Sequence, residues 1–127
     1  MVHIDAYIVK AEGYALVVQN SVLSRTYFYG SPEFNEIKSA IELALLNGCK
    51  AILEYNNIPS VGTGELDIIM FVVSHHPMGE MVHRIWNFKI EWENCILNQN
   101  DDFAMQYLNE LAVNLCNFVA FLRENLI

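Results

Sequence analysis

"EFNEIKSAIELALLNGCKAILEYNN", Glu33 to Asn57, is the stretch on which the fold prediction for the whole chain turns. Ile37, Ala40, Ile41, Ala44 and Leu45 recur at helical spacing and form one apolar stripe. Ser31 stands before them as an N-cap, with Pro32 at the first helical position. Glu33 lies in the first turn, where the macrodipole favours an acid. Asn47-Gly48 is a helix stop signal, and "KAILEY" after it is a short apolar run. The stretch therefore predicts a helix, a glycine stop and a buried strand that ends in Asn56 and Asn57. Glu36, one turn before Ala40, flanks the stripe, where an inward-facing carboxylate and a solvated one are both open.

Working outward, "VHIDAYIV" is β-branched and aromatic and predicts a first strand, with "KAEG" and its Gly13 as a turn. "YALVVQNSVL" and "RTYFYG" predict second and third strands, the last closing at Gly30. Three strands so closely spaced imply an antiparallel meander, and "KAILEY" then pairs parallel to the first through the crossover helix. "NNIPSVGTGE" is a loop. "LDIIMFVVSHH" is strand or buried helix, and periodicity does not decide. Pro77 and Gly79 separate it from "EMVHRIW", a short helix. "FKIEW" alternates, with Phe88, Ile90 and Trp92 on one face, and predicts a strand. From Asp101, the residues Ala104, Tyr107, Leu108, Leu111, Leu115, Phe118, Val119 and Leu122 mark one long amphipathic helix. The expectation is a mixed five-stranded α/β sheet flanked by helices, in one domain over 1–127.

The 127 residues are 54% hydrophobic, which argues for an ordered core. No run approaches the roughly 18 apolar residues of a membrane span. The N-terminus, with an Asp in its apolar run and no basic region, does not read as a signal peptide. Cys49, Cys95 and Cys116 are odd in number and widely spaced, so neither a disulfide framework nor a zinc knuckle follows, and a reducing cytoplasm is expected. The formal net charge of −8, with seven Lys and Arg of which no two are adjacent, disfavours nucleic acid and favours a basic protein partner. The apolar terminal helix makes a homodimer plausible. His76 and His83 are seven apart, but Pro77 and Gly79 interrupt any shared helix, so surface or cap histidines are expected in place of a metal pair. No Ser or Cys stands in a nucleophile motif.

The collinear order of these segments resembles the type 1 ribonuclease H domain over nearly the whole chain. "HIDAYIV" is similar to that family's first strand, with Asp5 at its metal-binding aspartate, and "NEIKSAIELAL" to its first helix, with Glu36 at the glutamate. "AILEYNN" is similar to the fourth strand, with Asn56 where the family has an acid. "NELAVNLC" places Asn109 at the last aspartate, or Gln106 if the loop is aligned without a gap. "ENCILNQNDDF" holds no counterpart of the catalytic-loop histidine. The resemblance implies a two-metal site for Mg2+ or Mn2+ in which only Asp5 and Glu36 keep their charge. Each amide for carboxylate removes a unit charge, worth on the order of 4 kcal/mol against a unit charge at 4 Å and an effective dielectric near 20. Asp101 and Asp102 could replace a lost ligand or simply open the terminal helix.

Three expectations follow. The chain is a ribonuclease H-like domain with an incomplete site at Asp5, Glu36, Asn56 and Asn109, acting through binding; or a weakly active, divalent-metal-dependent endoribonuclease on RNA–DNA hybrids; or an acidic, inhibitor-like protein that docks a basic partner.

Overall fold

The structure, a computed structural model, describes residues 2–22, 27–58 and 64–127. These residues fold into five helices: α1 (Val2–Ser21), α2 (Pro32–Tyr55), α3 (Glu65–His75), α4 (Gly79–Leu97) and α5 (Asp101–Leu126). No strand occurs among the described residues. The expected five-stranded α/β sheet is overturned, and the resemblance to ribonuclease H goes with it.

The correction has a physical cause in each segment. The two strands predicted before Ser21 are halves of α1, whose Ile4, Ile8, Ala11, Ala15 and Val18 are all buried. Their spacing of four, three, four and three is that of a helix seam. β-Branched content pointed to strands, but burial of this seam against two other helices outweighs an intrinsic preference of well under 1 kcal/mol per residue. Gly13 makes no turn; it sits exposed in mid-helix.

Gly48 makes no stop either. Helix α2 runs through it, and a β-carbon there would meet the Phe118 ring of α5 at 2.5 Å. The glycine permits close packing of two helices. Helix α2 ends instead at the two asparagines. Asn57 takes φ 55°, its N–H donates to Glu54 O (3.1 Å), and the Ile58 N–H donates to Leu53 O (2.9 Å). This is the Schellman arrangement, with asparagine in the left-handed position that glycine usually fills. The same cap closes α4: Gln99 has φ 58°, Gln99 N–H donates to Ile96 O (3.1 Å) and Asn100 N–H to Cys95 O (2.8 Å).

The predicted helix "EMVHRIW" and strand "FKIEW" merge into α4, which buries Val82, Ile85, Lys89, Trp92 and Ile96. Ile90, expected on the face of Trp92, is exposed. "LDIIMFVVSHH" resolves as helix in α3. Of the third predicted strand, Arg25 and Thr26 lie outside the described residues, as does Leu23 of the second. Tyr27 to Ser31 forms a turn closed by Ser31 N–H to Phe28 O (2.9 Å), with Gly30 at φ 82°. The Ser31 cap forms as predicted, its Oγ accepting from Phe34 N–H at 3.2 Å. Helix α5 likewise begins at Asp101 and buries the predicted stripe, Tyr107 only in part.

Helix α1 runs antiparallel to α5, as the pairs Glu12–Arg123 and Gln19–Cys116 require. Helix α2 runs antiparallel to α4 through Lys38–Glu93 and Glu42–Lys89. Phe88 and Tyr107 join α4 to α5. The four long helices thus make an up-down-up-down bundle, with α3 packed on α2 and α4. Helices α2 and α5 are parallel, and their N-termini share one end of the bundle. No helix among the described residues is long and apolar enough to cross a membrane.

Candidate functional site

The end of the bundle holding the N-termini of α2 and α5 also carries the Tyr27–Ser31 turn and the last turn of α4. Aromatic packing fixes it. Phe34 stacks on the buried Trp92 with ring centroids 4.9 Å apart, and Tyr29 leans on Phe34 at 4.9 Å. The Trp92 indole donates to Tyr27 Oη at 3.2 Å, tying the turn to α4. Between Tyr27 and α5 opens a cavity of ≈ 460 Å³ lined by Tyr27, Ile96, Asp101, Asp102, Ala104 and Met105. Burial pushes the Tyr27 phenol above its ordinary value, and the Asp101 charge adds to this against the Trp92 hydrogen bond. At neutral pH the phenol keeps its proton and can donate it to a bound group.

Exposed apolar side chains stand on the same end of the bundle, each next in sequence or nearly so to a residue that lines the cavity. Phe28 is 73% exposed, and Tyr29, Leu97 and Phe103 are each about half exposed. Four carboxylates stand beside them. Glu33 and Glu36 come from the start of α2, and Asp101 and Asp102 from the first turn of α5. No described basic side chain lies within ion-pair distance of these four. Arg25, nearby in sequence, lies outside the described residues; one cation would still leave the region negative. The half-charges of two helix N-termini stabilise such acids, so this placement also serves the fold.

Most of the other described cations are consumed internally. Lys89, only 3% exposed, is held between Glu93 (3.3 Å) and Glu42 (3.6 Å) with its ammonium 4.4 Å from the Trp86 ring centroid, and Lys38 pairs with Glu93 at 3.6 Å. Arg84 lies 3.8 Å from Glu80. Arg123 grips Glu12 with two hydrogen bonds.

The four positions proposed as a degenerate metal site do not meet. Asp5 is exposed on α1, 3.6 Å from Arg123 Nη1. Glu36 is an exposed acid in the second turn of α2. Asn56 is the C-cap of that same helix, its amide donating to Ile52 O at 2.7 Å. Twenty residues of helix separate Glu36 from Asn56, about 30 Å at 1.5 Å per residue. Gln106 and Asn109 are exposed within the first three turns of α5. Glu36 and Asn56 therefore stand at opposite ends of α2, and no cluster of three His, Cys, Asp or Glu suited to a metal occurs among the described residues.

The histidines fall at helix ends and surfaces. His75 closes α3 and stacks on Phe71 at 4.4 Å. His76 is the C-cap of α3; its Nδ1 accepts from the Met78 N–H at 3.1 Å, and burial lowers its pKa. His83 is exposed on α4.

The aromatic end escaped the sequence reading because its parts come from separate elements. One local signal was present: Tyr27, Phe28, Tyr29 and Phe34 crowd four aromatic rings into eight positions around a Gly-Ser-Pro turn. That density exceeds what a short connection needs. The chain matches no protein-family model, no curated protein and no solved structure.

Proposed function

We propose that the protein acts by binding, and that it captures a positively charged protein through the acidic, aromatic end of its bundle. The observation that carries this reading is the juxtaposition there of Phe28, Tyr29, Leu97 and Phe103 with the carboxylates of Glu33, Glu36, Asp101 and Asp102. Aromatic anchors that bury on contact supply most of an interface's energy, and a ring of like charge selects and steers an oppositely charged partner. The formal charge of −8 adds long-range attraction at physiological salt. An inhibitor of a basic enzyme and an acidic subunit of a larger assembly are the two forms this takes.

The test is affinity capture on the immobilised protein, compared with E33Q/E36Q/D101N/D102N and with F28A/F103A. A cationic protein retained at low salt, released as salt rises and lost with both variants, supports the reading. Equal retention on all three surfaces, or retention only of neutral and acidic proteins, would sink it.

A further inference from the structure

The outer groove between α1 and α2 has the opposite character to the bundle end. Its volume is ≈ 450 Å³, and Lys10 and Tyr14 of α1 face Asn47 and Lys50 of α2 across it. These two lysines are the only described cations without a carboxylate in ion-pair reach. Lys50 instead lies over the Tyr7 ring, 5.9 Å from its centroid. Since α1 and α2 are antiparallel, both ammonium groups sit at one end of the groove. The other end is walled by Val17 and Leu43, with Leu46 between. From Lys10 to Val17 is seven residues of helix, about 10 Å.

Gly13 lines the same groove. In mid-helix and exposed to solvent, it costs about 1 kcal/mol relative to alanine. A β-carbon there would meet nothing within 4 Å, and no turn or positive φ requires the glycine. Nothing within the fold accounts for it. A glycine does lower the groove wall, so that a ligand can approach the α1 backbone closely.

We infer that this groove binds a free, single-chain anionic amphiphile, its head between Lys10 and Lys50 and its tail laid over Gly13 towards Val17 and Leu43. Charge complementarity selects the head: in a chain of net charge −8, two lysines without ion-pair partners line one end of a largely apolar groove. The inference does not depend on the basic partner proposed for the bundle end.

The probe is decanoate, titrated below its micelle concentration and followed by calorimetry and amide chemical shifts. Saturable binding with shifts confined to the α1–α2 groove is expected. K10Q/K50Q should weaken it at least tenfold. G13L should abolish it, and because that position is open and leucine favours helix, this variant folds at least as stably. The neutral decanol and the tailless acetate should bind much more weakly. Non-saturable binding, unchanged affinity in G13L, or decanol binding as well as decanoate would each overturn the inference. Lysine-dependent co-sedimentation with phosphatidylserine vesicles in the absence of decanoate binding would replace the free amphiphile by a membrane surface, and so overturn it too.

Discussion

The backbone of α2 at Gly48 lies against the edge of the Phe118 ring, with no room for even a methyl group between the two helices. Both residues are buried. Helix propensity alone makes Gly48→Ala stabilising by roughly 1 kcal/mol. Packing predicts the reverse, because the buried ring must move: a net loss of about 1–3 kcal/mol. Urea denaturation of Gly48→Ala, alone and with Phe118→Leu, separates the two. The double variant should recover part of the loss; a stabilised single variant would mean that the contact is slack.

Gln99 carries a long side chain in the left-handed conformation, where residues with a β-carbon are disfavoured by roughly 1–2 kcal/mol. Gln99→Gly should raise stability by up to about 1 kcal/mol, and Asn57→Gly by less, since asparagine tolerates that conformation better. Thermal melts of both variants check the order. Melting temperatures that fall in both would mean that side-chain contacts at these caps matter more than backbone strain.

His76 is held neutral by burial and by the N–H that Met78 directs at its Nδ1. Its folded pKa lies below the ordinary 6.5. Between the two values the unfolded chain binds the proton that the folded protein refuses. Its contribution is thus fully present above about pH 6.5 and is lost as pH falls through the lowered folded value. Denaturation midpoints across pH 5 to 7.5 should decline on the acid side, and His76→Asn should flatten that slope. An identical slope in the variant would assign the decline to other groups.

Arg123 acts in the opposite chemical sense on Glu12. Its two hydrogen bonds, at 2.6 and 2.7 Å, hold the carboxyl below its ordinary 4.5. The α1–α5 tie is therefore complete above about pH 4.5 and weakens as pH drops through the lowered value. Both groups are partly solvated, so the effect is modest and screened by salt. Glu12→Gln should be less stable than the parent at pH 6 and converge with it once pH falls below the lowered value. Parallel stability curves across that range would count against the tie.

How far the fold was legible depended on what interrupted each pattern. Helix α5 and the first half of α2 were readable because their apolar spacing runs without a glycine or proline. Helix α1 carries an equally regular seam from Ile4 to Val18, but β-branched residues and Gly13 pointed locally to two strands and a turn. In α2 and α4 the decisive facts are tertiary. Gly48 is explained by Phe118 and Leu122 of α5, and Ile90 alternates with Trp92 in sequence while facing solvent. The proposed metal positions depended on a sheet to bring them together, and a helix 24 residues long keeps two of them apart. The acidic balance was visible from composition. Where the acids gather was not, because that rests on α2 and α5 being parallel.

The hydrogen bond between Trp92 and Tyr27 spans 65 positions of sequence. A contact of such range is entropically costly to close and belongs among the later events of assembly. A growing chain that has emerged only through α3 therefore lacks the aromatic, acidic end of the bundle, whatever its first helices have achieved. In the binding role proposed above, readiness to meet a partner is coupled to near-completion of synthesis, and a fragment cut before α4 would be blind to it.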